Sequence, residues 1–204
     1  AALSSAIFLG KIKKIEEKPA NIPFVILGTG LLWFGWFGFN SGSALGANLD
    51  AAIAFANTNL ASATSMITWI FYDRFTNKKM TALGACIGAI VGLVAITPAA
   101  GFVTLGQSAF IGFIASIISN IAIETTKKSN IDDTLDVFPS HGVGGIVGMI
   151  LTAVFASNVG LIYGDSSVFL YHLITILITI VFTLFMSYLL LKIVDSVLPL
   201  RVRE

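Results

Sequence analysis

Asp132, Asp133, Asp136 and His141 gather at the mouth of an apolar, glycine-rich run, Gly142-Val143-Gly144-Gly145-Ile146-Val147-Gly148. An Asp at the centre of a membrane-spanning helix costs roughly 2.5–3.5 kcal/mol on insertion scales, so ionisable groups placed there face protein or a cavity and commonly handle ions or protons. On an α-helix, Asp133, Val137, His141, Gly145 and Gly148 recur every three or four residues and share one face. An imidazole among small side chains, with an ordinary pKa of about 6.5, can hold or pass a proton there. The same pattern suits a neutral histidine hydrogen-bonded to a neighbouring helix, and the helix pattern alone does not separate the two readings. Asp136 stands apart from this face. A helix opening here has Asp136 as N-cap and Pro139 in its first turn, where the missing N–H costs nothing, so Asp136 is expected to cap. Asp132 and Asp133 are then solvated or order the loop.

A second constellation lies in Leu31-Leu32-Trp33-Phe34-Gly35-Trp36-Phe37-Gly38-Phe39-Asn40-Ser41-Gly42-Ser43, where Gly35, Phe39 and Ser43 recur every four residues. A ring face attracts a small cation and a serine oxygen accepts its hydrogen bond. An aromatic belt with a helix-packing serine explains the same residues. Asn57, Thr58 and Asn59 read as interhelical hydrogen-bond partners. His172, beside Tyr171, reads as interfacial. Cys86 is the only cysteine, which excludes an intrachain disulfide and a multi-cysteine metal site. No metal, cofactor or enzymatic activity is expected, and there is no phosphate-binding loop or nucleic-acid patch.

The elements that position these residues are transmembrane helices. The chain of 204 residues is 56% hydrophobic with a mean hydropathy of +0.90. Its charged fraction is 11%, against about 25% in an ordinary soluble domain. Apolar windows of about 20 residues, enough to cross roughly 30 Å of hydrocarbon, fall near 22–47, 49–72, 80–97, 101–122, 137–159 and 167–194. Residues 1–10 read as the tail of an incomplete helix, so the chain is expected to begin partway through one. Residues 11–21 read as a cytoplasmic loop and 195–204 as the start of a cytoplasmic tail. The expected fold is an all-α, polytopic membrane helix bundle.

All twelve basic residues fall on one side of this arrangement: Lys11, Lys13, Lys14 and Lys18; Arg74, Lys78 and Lys79; Lys127 and Lys128; Lys192, Arg201 and Arg203. The opposite loops carry acids and no Lys or Arg. The positive-inside rule makes the basic side cytoplasmic, with the C-terminus. Gly38, Gly42 and Gly46, then Gly84, Gly88 and Gly92, then Gly144 and Gly148 form four-residue ridges that let helix backbones approach closely.

Two of these segments, Trp33 to Ser43 and Asp133-Thr134-Leu135-Asp136-Val137-Phe138-Pro139-Ser140-His141-Gly142-Val143-Gly144-Gly145, resemble signatures of the ammonium transporter family (Amt/MEP/Rh), and of its Amt branch in particular. Ala54 to Asn59 and Gly84 to Val103 resemble that family in order and spacing, so the resemblance covers nearly the whole chain. Members have eleven spans, the first five and the next five related as inverted repeats. The resemblance implies that this chain is the second half of that fold, from the end of the fifth span to the eleventh. It also implies the roles of individual residues. His141 resembles the second of two paired pore histidines, Phe39 one of two gating phenylalanines, and Ser43 the hydroxyl of an outer recruitment site, while Leu32, Trp36 and Val137 lie along the pore. The expected function is ammonium transport in the cell membrane, with deprotonation at the outer site and ammonia passage through an apolar pore. An ammonium sensor signalling to a cytoplasmic domain is the alternative. The implied partners are ammonium or ammonia, the lipid bilayer, two further copies in a homotrimer, and a PII-type regulatory protein on the cytoplasmic face.

Overall fold

Polar side chains mark where the helices begin. Asn21 accepts from the Phe24 amide at 3.2 Å, Asn48 from Ala51 at 3.0 Å and Thr81 from Gly84 at 3.0 Å. Thr104 and Gln107 form a reciprocal capping box, each side chain bonded to the other's backbone N–H. Each start therefore satisfies amides that a bare helix end leaves orphaned. The computed structural model describes residues 1–10, 19, 21–129, 131–164 and 166–200. Lys11 to Lys18 of the expected cytoplasmic loop, and Arg201 and Arg203 of the tail, lie outside the described residues.

Seven α-helices run in order among the described residues, with no strand: α1 Ala2–Leu9, α2 Ile22–Gly42, α3 Leu49–Phe75, α4 Ala82–Ile96, α5 Leu105–Lys128, α6 Gly144–Phe155 and α7 Ser166–Val197. A π-helical turn, Phe138–Val143, leads into α6, and a short 3₁₀ turn, Leu161–Tyr163, precedes α7. Among the described residues, four helical segments are long and apolar enough to cross a bilayer: Ile22–Gly42, Leu105–Lys128, Phe138–Phe155 and Ser166–Val197. The other two expected spans differ for physical reasons. The 15 residues of α4 reach only about 22 Å, because the chain turns at Thr97 and Pro98. In the 27-residue α3, buried Asn57, Thr58, Ser62, Ser65 and Asp73 lower the hydropathy.

Those polar residues are what hold the centre together. Along α3 and α5, Ser108 donates to the Asn57 carbonyl at 2.8 Å and Ser116 to the Ser65 carbonyl at 2.9 Å, both across an offset of 51 residues. A constant offset means that the two helices run parallel in register. Between these two bonds Gly112 faces Ala61, where a Cβ would collide with the Ala61 carbonyl oxygen. On the other flank of α3, Gly84, Gly88 and Gly92 meet Asp73, Trp69 and Ala61 to Ser65 in reverse order, so α4 runs antiparallel. Ser62 and Ser65 donate to the Ala89 and Gly88 carbonyls at 2.9 and 2.6 Å. Small residues bring backbones close enough for one-carbon hydroxyl side chains to reach the next helix, and such bonds are worth about 0.6–2 kcal/mol each in a membrane.

The α2 ridge behaves otherwise. A Cβ at Gly38 or Gly42 would meet nothing within 4 Å. The tight-packing expectation therefore applies to α4 and α6 within this chain and not to α2. Of the expected interhelical partners, Asn57 and Thr58 are buried and bonded to other elements, while Asn59 is exposed. Cys86 packs in the interior.

Asn57 ties the turn after α4 to α3. Its Nδ2 donates to the Ala100 and Val103 carbonyls, both at 2.8 Å. Replacing Asn57 with leucine strands two acceptors in the interior, and unfolding monitored in detergent is expected to show a loss of about 2–4 kcal/mol. An unchanged melting curve would mean that water reaches those carbonyls.

The parallel register of α3 and α5 places Arg74, Lys78, Lys127 and Lys128 at one end of the bundle. Buried Asp73 is satisfied there. Asn120 Nδ2 donates to Asp73 Oδ1 at 3.0 Å, Lys78 Nζ donates to Asn120 Oδ1 at 2.7 Å, and Lys78 also pairs with Glu124. Nothing in the sequence pattern singled out this cluster, because its members come from three elements.

Candidate functional site

The segment leading to His141 is shaped by two aspartates, but not in the roles that the sequence suggests. Asp136 does not cap with its side chain. Its backbone is left-handed, with φ 51°, which turns the carboxylate away from the first turn and toward Lys127 Nζ at 3.1 Å. Asp133 is the residue that caps: its Oδ2 accepts from the Phe138 amide at 2.6 Å. The turn that brings it there is closed by the Asp136 amide bonding the Asp133 carbonyl at 2.8 Å. Burial pushes the Asp136 carboxyl above its ordinary 3.8, and the opposing pull of Lys127 does not cancel it.

This position yields a prediction with a definite sign. A raised carboxyl pKa means that folding takes up a proton, so the contribution of Asp136 to stability is full below pH 3.8 and lost as pH rises through its higher folded value. In Asp136→Asn, which tolerates left-handed backbone, that pH dependence should vanish between acidic and neutral melts. Asp136→Ala should in addition cost about 1 kcal/mol from the positive φ. Identical pH profiles for wild type and Asp136→Asn would contradict the assignment.

Beyond the cap, Pro139 supplies no N–H and the chain winds as a π turn before settling into α6. Single π turns are uncommon and concentrate at functional sites. The wider turn alters the register that a regular helix would keep. Val137, His141 and Gly145 still line one cavity, but Gly148 packs against α4, where a Cβ would collide with the Ala95 carbonyl oxygen. Asp133 is spent on capping. The single face expected from Asp133 to Gly148 is thus reduced to its three central members.

The cavity measures about 820 Å³ and lies between the end of α4, the π turn, α6, α7 and the first residues of α1. Its walls are mainly aliphatic. His141 is the ionisable side chain among its lining residues, and Thr97, Thr179 and Thr183 add hydroxyls. The imidazole Nδ1 lies 2.9 Å from Ser140 Oγ. Among the described residues, no group of three or more His, Cys, Asp or Glu could hold a metal ion.

The α2 residues are placed differently. Trp36 reaches the cavity rim through Thr97, its Nε1 donating to Thr97 Oγ1 at 2.8 Å. Phe39 meets the edge of Trp36 at a centroid distance of 6.1 Å, and Ser43 Oγ donates to the Phe39 carbonyl at 2.9 Å. Leu32 and Phe39 are 49% and 63% exposed, and neither they nor Ser43 line the cavity. The structure therefore brings together His141, Val137 and, through Thr97, Trp36; Leu32, Phe39 and Ser43 form a separate exposed strip of α2. Thr97 and Ser140 were missed by reading the sequence. The available signal was a hydroxyl residue beside a proline at a helix end, and another beside the histidine. His172 sits near the start of α7, its Nδ1 2.9 Å from the Val168 carbonyl, outside this site.

Comparison with known proteins gives the family of the chain. The chain is 46% identical to an ammonium transporter of Aquifex aeolicus (strain VF5) over 210 aligned residues, covering 100% of this chain and 50% of that protein. Its fold superposes on the crystal structure of Candida albicans Mep2 with a TM-score of 0.91 at 34% identity, covering 99% of this chain and 49% of the other. A structure named as a sensor Amt protein gives a TM-score of 0.86 at 29% identity, covering 99% of this chain and 52% of the other. The chain spans about half the length of the curated relatives it matches. The sequence model of the Ammonium Transporter Family matches residues 1–204, and this all-α membrane chain belongs to that family, whose members are transporters and not enzymes.

Proposed function

We propose that this chain forms part of an ammonium transporter in which His141 serves the conducting path. The observation that carries the reading is a single imidazole on the wall of a mainly aliphatic cavity, in a chain whose relatives are named ammonium transporters. Transferring a compact cation from water to a medium of low dielectric costs of order 20 kcal/mol before compensation, so an apolar path favours the neutral amine. In this reading ammonium pauses at Phe39 and Ser43 and gives up a proton that is relayed through His141; ammonia crosses past Trp36, Leu32, Val137 and His141 and recombines with that proton on the cytoplasmic side, so one charge moves with each ammonium. Because the Ser43 hydroxyl donates to the Phe39 carbonyl, its oxygen lone pairs are available to an N–H donor. Amine pKa values of about 10 mean that deprotonation at neutral pH needs this assistance.

The basic end of the bundle is assigned to the cytoplasm by the positive-inside rule, and the C-terminal end of α7 with it. The exposed apolar faces of α2 and α7 suit lipid, further helices of the same protein or neighbouring copies in a trimer, and the basic end suits a PII-type regulator. The complete coded protein, reconstituted in liposomes, should give a current when ammonium is added. No current and no uptake would remove the transport reading. A sensing role is the second reading, favoured by the likeness to a sensor Amt structure. Ammonium binding without flux would select it.

A further inference from the structure

We infer that Thr179 and Thr183 of α7 form a pair of hydroxyl stations for a neutral amine in the cavity that His141 lines. Thr175, Thr179, Thr183 and Ser187 recur every four residues along α7, and the middle two are lining residues of the cavity. Packing against α1 fixes the rotation of α7 that turns them inward. Ser4 Oγ donates to the Leu184 carbonyl at 3.4 Å, and Phe8 meets the edge of Tyr188 at a centroid distance of 5.7 Å.

The two hydroxyls differ from others in the bundle by what they leave unbonded. A threonine in an apolar helix can turn its hydroxyl back onto the carbonyl four residues earlier. Thr29, Thr58, Thr97, Thr125 and Thr152 all do so, at distances between 2.6 and 2.9 Å. Thr179 and Thr183 have no hydrogen-bond partner among the described residues. A hydroxyl facing a mainly aliphatic space without a partner is unfavourable, so the pair calls for a polar occupant.

Spacing sets the size of that occupant. Four residues of α-helix rise about 6 Å, and two hydrogen bonds of about 3 Å each, laid end to end through one small molecule, cover the same distance. Hydrogen-bond chemistry sets its class. One hydroxyl of the pair can accept an N–H while the other donates to the lone pair of the same nitrogen. Ammonia offers both groups. Ammonium has no lone pair, and the described lining residues include no carboxylate to hold its charge. The pair therefore favours the uncharged amine within the cavity.

This assignment rests on the proposed transport function and deepens it. The test uses the complete protein in liposomes and the isosteric double variant Thr179→Val, Thr183→Val, which removes both hydroxyls and keeps the shape of the wall. Its maximal ammonium flux should fall about tenfold while its melting stays that of the wild type. The double variant Thr179→Ser, Thr183→Ser keeps both hydroxyls and should conduct within about twofold of the wild type. A second readout is independent of flux: in ¹³C-threonine-labelled wild type, signals assigned by difference against the valine variant should shift when ammonium chloride replaces potassium chloride. Wild-type flux in the valine variant, or a lowered melting point with flux per folded protein unchanged, would overturn the assignment. So would unshifted threonine signals in a conducting wild type, which would mean that the hydroxyls meet water only. A wild type that shows the shifts but carries no ammonium supports the stations while removing the transport reading.

Discussion

Replacing His141 with alanine is expected to lower the ammonium-dependent current of the complete protein roughly a hundredfold, because proton transfer by a positioned side chain contributes about 10²- to 10⁴-fold. The expectation follows from the composition of the cavity wall. His141 is the only ionisable side chain among the described lining residues, and the three threonine hydroxyls there cannot titrate near neutral pH. With alanine the path stays apolar and open, so the loss should appear in charge movement and not in protein stability. Melting of the variant should match the wild type within about 0.5 kcal/mol, since the side chain is exposed to the cavity and its one described bond is to Ser140. Wild-type-sized currents in His141→Ala would show that the proton takes another route.

The second large effect is on folding and pits one substitution against itself at two positions. Gly112→Ala should cost about 2–3 kcal/mol or more, because its Cβ would collide with the Ala61 carbonyl in the register that Ser108 and Ser116 hold. Only backbone movement could relieve the contact, and that would stretch both serine bonds. Gly38→Ala adds the same methyl where nothing lies within 4 Å, so it should be neutral or stabilise by up to about 1 kcal/mol through helix propensity. Thermal unfolding in a single detergent compares the two. If Gly112→Ala melts like Gly38→Ala, the α3–α5 contact is looser than its hydrogen bonds indicate.

Reading from sequence reached a long way into this fold because membrane helices announce themselves locally. Apolar windows and basic loops each depend on local composition, so they survive without knowledge of the tertiary structure. The same holds for the family signatures, which are contiguous runs. The site was legible in part. His141 and Val137 line the cavity, but the cap was placed on Asp136 when Asp133 holds it, since the sequence does not reveal that residue 136 is left-handed. The π turn was also hidden. It depends on Pro139 and on the fit of Phe138 beside Gly142, where ordinary helical periodicity predicts a continuous face.

The sequence by itself determined that this chain is helical and membrane-embedded, which end of the bundle is basic, and that an imidazole lies in an apolar setting. Tertiary structure alone decided which polar groups meet. The bonds of Trp36 to Thr97, Ser108 to Asn57, and Asn120 to Asp73 and Lys78 each span more than forty residues of chain. No local rule specifies such partners. A hydroxyl or amide in an apolar helix must find an acceptor, and which acceptor it finds depends on the crossing and register that the packed glycines and serines allow.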